Sequence, residues 1–183
     1  AYQTVGSSMV VRKSAYEKIG GMPKKKAGED FYFLQKVIKL GNFTELNSTT
    51  VYPSPRVSDR VPFGTGRAIA DLQNEGSKDF MTYDFRTFRQ LKILVDVSPK
   101  LFAANEVLNE LPNEIKSFLV KINAAERLNE IRSKSHSEDV FLKHFFNWFD
   151  AFMVMKYCHF MRDRYFPLLS VDSQSQQLAN IWS

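Results

Sequence analysis

Two adjacent carboxylates, Glu29 and Asp30, stand in "GGMPKKKAGEDFYFLQKVIKLG" between Gly28 and an apolar run with helical spacing. Two kinds of chemistry fit them. Acidic side chains in the first turn of a helix complement the positive end of its dipole, and that alone would account for them. A carboxylate at a loop-to-helix junction also stands where a general base must stand to reach a substrate hydroxyl. Gly28 would let a ligand or another stretch of chain approach closely. One acid would then take the proton and the other hold the local geometry. The helix dipole favours the charged form, so a base at this place needs a partly apolar surround.

A second constellation lies in "SPRVSDRVPFGTGRAI", where Arg56, Arg60 and Arg67 surround Gly64 and Gly66. Arginine forks bind phosphate oxygens in pairs. Glycines let backbone N–H groups approach an anion, and a helix start favours negative charge. A diphosphate suits such a loop. The alternative is a surface loop whose arginines pair with Asp59 and other acids. No Gly-Lys-Ser or Gly-Lys-Thr follows, so it is not a Walker loop. Lys24, Lys25 and Lys26 read as solvated charges that could also draw an anionic substrate toward the acid pair. His144 and His159 are 15 residues apart, which is not a metal-ligand spacing, and both read as packing or surface residues. His136 reads as solvated.

The elements that must position these groups follow from composition and pattern. The chain has 183 residues, 44% of them hydrophobic and 25% charged, enough for one core or for a main domain with a helical extension. The net charge of +5 suits an anionic ligand, and the aromatics fall in apolar helical runs without an RNA-binding signature, so nucleic acid is not the expected partner. The single cysteine, Cys158, forbids an internal disulfide and a thiolate metal cluster, and sits where a buried, inert thiol is expected. A reducing, cytoplasmic location fits. The chain opens without a signal-peptide pattern, and no stretch of 18 uncharged apolar residues crosses a membrane.

"SSMVVR" at 7–12 reads as a buried strand, followed by a short helix capped by Ser14 and closed by Gly20 and Gly21. A second helix is expected from about Glu29 to Leu40, stopping at Gly41. Residues 42–55 alternate with β-branched types and predict one or two short strands ended by Pro53 and Pro55. The arginine loop should enter a helix near Thr65 or Gly66. Helices are expected near 84–97, 100–110, 113–132 and 138–165, punctuated by Pro99, Pro112 and "SKSHS", with a looser polar end after them. The run at 138–166 is apolar over most of its surface, with a narrow polar stripe that includes Lys143, Asn147 and Asp150. Such a helix wants cover on most sides: a core, a second copy of the chain or a membrane surface.

"GSSMVVRKSAYEKIGGMPKKKAGEDFYFLQKVIKLGNF" resembles the second half of the catalytic domain of family-2 inverting glycosyltransferases, at Gly6, Ser7, Ser8, Met9, Arg12, Gly20, Gly21, Glu29, Asp30 and Gly41. The loop "SDRVPFGTGRAI" is similar to one in a bacterial branch of these enzymes, and the likeness covers about residues 1–72. It implies a glycosyltransferase A-type fold, a nucleotide-sugar donor, a carbohydrate or lipid-linked acceptor and a divalent metal, Mg or Mn. It implies that Asp30 is the general base and Glu29 its supporting neighbour, with Gly6, Ser7 and Ser8 on the substrate side. Nucleotide-binding βαβ units, an Asp-x-Asp metal motif and the Gln-x-x-Arg-Trp segment of processive members are absent from this sequence.

The expectation is therefore an α+β, mainly helical chain. Residues 1–80 would be the acceptor-side part of a glycosyltransferase catalytic domain and 81–183 a helical extension, the whole a C-terminal portion inactive by itself. Two rivals remain: a non-catalytic helical interaction module, with Glu29 and Asp30 only starting a helix, and an anion or nucleic-acid binder using the basic loops.

Overall fold

The computed structural model describes residues 9–25, 28–52 and 80–182. Among them the chain is mainly helical, with eight α-helices and two strands of two residues each. The chain divides into two compact units, 1–78 and 79–183.

In the first unit, α1 (Lys13–Lys18) follows Arg12, whose extended backbone begins the helix without a side-chain cap. Ser14 therefore lies inside α1 and does not cap it. Gly20 and Gly21 both have positive φ, and Gly21 N–H returns to the Tyr16 carbonyl at 2.9 Å. A Cβ at Gly21 would stand 3.0 Å from the Tyr16 ring, so this glycine serves both backbone and packing. The next helix, α2 (Glu29–Lys39), buries Phe33 and Leu34, and the Tyr16 and Phe33 ring centroids are 5.5 Å apart.

The expected strands of this unit do not form among the described residues. Residues 9–12 and 42–52 are in no strand. Leu46, Val51 and Tyr52 are exposed, and β-branched character without a partner strand does not make a sheet. Residues 7–8, 53–55 and the helix expected near Thr65 lie outside the described residues.

The second unit holds both strands, β1 (Met81–Thr82) and β2 (Leu169–Ser170), paired antiparallel with Met81 opposite Ser170. After β1 comes α3 (Phe85–Val97), capped by Asp84, whose carboxylate accepts from Arg86 N–H at 2.8 Å. The helix expected at 100–110 is instead two tight 3-10 turns, Ser98–Phe102 and Glu106–Glu110. The guanidinium of Arg132 explains their stability. It donates to the carbonyls of Leu101 and Phe102 and to the Asn105 side chain at 2.7–3.0 Å.

The long helices expected at 113–132 and 138–165 are each broken once. The first becomes α4 (Asn113–Lys121) and α5 (Ala124–Ser133), divided at Asn123 with φ 53° and ψ 43°. Asparagine tolerates this left-handed conformation better than most side chains do. The second becomes α6 (Glu138–Trp148) and α7 (Ala151–Arg164). Its break falls at Asp150, which is extended and caps α7 by accepting from Phe152 and Met153 N–H at 3.0 and 3.3 Å. The chain closes in α8 (Val171–Trp182), helical where a looser end was expected.

These breaks explain how so many aromatic residues are covered. Phe141, Phe145 and Phe149 are four residues apart, which stacks them along one side of α6 and its end, all buried. Phe118 of α4 meets Tyr157 and Phe160 of α7 at ring separations of 5.3 and 5.5 Å. Leu94, Leu101, Ile115, Leu128 and Met161 complete the core. Each large side chain removed from water contributes about 1.5–3 kcal/mol. The buried Tyr157 hydroxyl donates to the Thr87 carbonyl at 3.0 Å, and burial pushes its ionisation well above the usual tyrosine range. Cys158 is buried and unpaired, and burial also pushes its thiol up. No helix among the described residues is long and apolar enough to cross a membrane.

Candidate functional site

The acid pair forms the first turn of α2. Gly28 precedes it with φ 71° and ψ 15°, and its carbonyl accepts from Tyr32 N–H at 3.2 Å. A Cβ at Gly28 would meet nothing within 4 Å. The left-handed backbone, and not close approach of a neighbour, is thus what favours glycine here.

Both acids are half-buried. Asp30 Oδ1 accepts from Phe31 N–H at 2.7 Å, which fixes the carboxylate plane against the helix start. Oδ2 has no hydrogen-bond or ionic partner among the described residues. One oxygen is held and, among the described residues, the other is unbonded, an arrangement that a positioned proton acceptor can use. Glu29 stands beside it in the same first turn. The aromatic side chains of Phe31, Tyr32 and Phe33 follow directly, with Tyr32 edge-on to Phe31 at 6.1 Å. Lys25 lies over the Tyr32 ring with its Nζ 3.5 Å from the centroid, a cation–π contact that brings one positive charge to this end of the helix. Lys24 is exposed, and Lys26 lies outside the described residues.

The other expected site residues, Gly6, Ser7, Ser8, Arg56, Arg60, Gly64, Gly66 and Arg67, also lie outside the described residues. No group of three or more His, Cys, Asp or Glu side chains among the described residues could hold a metal ion. The divalent metal that the resemblance implies for the full-length enzyme has no ligand group among the described residues, and no step below passes through one.

In the second unit, three features went unread in the sequence. The first is Asp84, 2% exposed, whose carboxylate takes a forked contact from Arg86 at 2.6–3.1 Å. These bonds hold its carboxyl below the usual carboxylate range. Arg86 in turn lies over the Phe166 ring, 4.7 Å from its centroid. The second is Gln174, buried in α8, whose side-chain oxygen accepts from Phe85 N–H at 2.7 Å and joins that helix to the start of α3. These two groups are structural.

The third is a surface groove between α5 and α6. One cavity of about 230 Å³ is lined by Arg127, Glu130, Lys134, His144, Asn147 and Trp148, among others. A second, of about 480 Å³, shares Arg127, Glu130 and Trp148. The spacing of Arg127, Glu130 and Lys134, three and four residues apart, is the sequence signal that could have found one face of the groove. His159, by contrast, stacks on Tyr83 at 6.3 Å and packs as expected, and His136 is exposed.

No protein-family model matches this chain, and no curated protein or solved structure is significantly similar to it.

Proposed function

We propose that the chain is the acceptor-side portion of an inverting glycosyltransferase, with Asp30 as its general base. The observation that supports this most is the Asp30 carboxylate at the start of α2, with Oδ1 held by Phe31 N–H and Oδ2 unbonded among the described residues. In this reading Oδ2 takes the proton of an acceptor hydroxyl. The hydroxyl oxygen attacks the anomeric carbon of a nucleotide sugar, and the bond to the leaving diphosphate breaks with its electron pair, inverting the centre. Lys25 and the arginines at 56, 60 and 67 are the cations this reading assigns to the anionic donor. Glu29 helps set the local field. The family likeness at residues 1–72 and the order of its motifs support the same assignment.

The test is Asp30→Asn in the full-length enzyme. Removal of a general base lowers turnover by about 100- to 10,000-fold. Donor affinity should stay nearly unchanged, because the isosteric amide keeps the fold and the diphosphate contacts. Normal turnover, or a matching loss of donor binding, refutes the assignment.

A second reading, a helical interaction module, draws on the exposed apolar side chains of Phe80, Met81 and Val120. Light scattering separates the two. A self-associated chain whose Asp30→Asn variant keeps full function would favour the module.

A further inference from the structure

The groove between α5 and α6 combines groups that no single class of ion would choose. Glu130 is paired with Arg127 and, at 2.6 Å, with Lys134. A multiply charged anion would meet the Glu130 carboxylate, and a metal cation would meet Arg127 and Lys134. His144 adds a defined acceptor. Ser135 Oγ donates to the Ile131 carbonyl at 2.7 Å, so its single proton is used, and His144 Nδ1, 3.2 Å away, must be the donor to it. In the neutral ring Nε2 is then the bare nitrogen. Asn147 contributes an amide, and Trp148 a half-buried ring braced by Phe145 and Phe149 at 5.9 Å each.

Paired donors and acceptors beside a rigid aromatic ring suit one chemistry well. A sugar ring offers hydroxyls that both donate and accept, and C–H faces that lie against an indole. The cavity of about 480 Å³ beside Glu130 and Trp148 falls within the range of about 300–1,000 Å³ usual for small-ligand sites, and it adjoins the cavity of about 230 Å³ that His144 and Asn147 line, so the two give a groove rather than a single pocket. We infer that this groove binds an uncharged oligosaccharide chain, with Trp148 as its stacking platform and Glu130, His144 and Asn147 as its polar contacts. The site goes beyond the transfer reaction proposed above and uses none of its residues. Its measurement needs neither donor nor turnover, so the two readings fail separately.

The experiment uses the whole chain carrying Trp182→Phe, which leaves Trp148 as the only tryptophan. Maltohexaose, cellohexaose and chitohexaose are titrated while indole fluorescence and the indole N–H resonance are followed, with inorganic phosphate as the anionic control. At least one hexasaccharide should give a saturable change in the millimolar range, and phosphate none. Glu130→Gln and Asn147→Ala, both at exposed positions, should each weaken binding several-fold. Trp148→Ala should weaken it at least tenfold, read by the resonances of Asn147 and His144. If Trp148→Ala loses its fold by circular dichroism, Trp148→Leu replaces it with the same expectation. Absence of saturation with all three sugars, saturation by phosphate alone, or unchanged binding in the Glu130 and Asn147 variants overturns the inference.

Discussion

Replacing Asp84 tests how the second unit begins. Asp84→Ala removes the acceptor for Arg86 N–H and empties a position that is 2% exposed. Loss of such a cap costs about 0.5–2 kcal/mol, and the buried location puts the expectation in the upper half of that range. The fork to Arg86 adds little, since that guanidinium is solvent-exposed and screened. Asp84→Asn keeps a capping oxygen, so it should cost less than about 1 kcal/mol. The pH dependence has a definite sign. The folded carboxyl lies below its ordinary value, held there first by the Arg86 side-chain bonds. Its contribution is therefore present above the unfolded pKa of about 3.9 and lost as pH falls through the lower, folded value. Urea unfolding at neutral pH and at successively more acidic pH, followed by near-UV circular dichroism, gives both quantities. The gap between wild type and Asp84→Asn should close in acid, and the gap between the Asn and Ala variants should persist at neutral pH. Equal losses in the two variants at neutral pH would show that the ion pair, and not the cap, stabilises this helix start.

Two further outcomes are expected. Tyr157→Phe removes the hydroxyl that donates to the Thr87 carbonyl and should lower unfolding stability by about 1 kcal/mol without changing helix content. Asn123→Ala should cost about 1 kcal/mol, because alanine is strained at φ 53°, whereas Asn123→Gly should be neutral or slightly stabilising in thermal unfolding.

Three helix starts were legible because the reasons are local. Asp84, Pro112 and Ser137 mark the starts of α3, α4 and α6 within a residue. The breaks at Asn123 and Asp150 were not legible. Helical periodicity runs straight through both, and Asp150 reads equally well as part of a polar stripe or as a cap. Only packing favours the break, because two short helices can bury Phe141 and Phe145 on one line and Tyr157 and Met161 on another. β1 and β2 were missed for a different reason. They pair residues 87 and 89 positions apart, Thr82 with Leu169 and Met81 with Ser170, and two-residue strands have no period to detect.

At the acid pair, the residue types alone determined a helix start with two carboxylates after a glycine. That follows from dipole, cap and backbone preferences, which act within a few residues. Which oxygen is held, and that the Gly28 backbone is left-handed with open space at its Cβ, took the folded geometry. The groove shows the same division more sharply. The spacing of Arg127, Glu130 and Lys134 sets their pairing on one helix face. Their meeting with His144 and Trp148 depends on how α5 and α6 pack, and packing is decided by the buried aromatic core beneath them, not by any stretch of sequence taken alone.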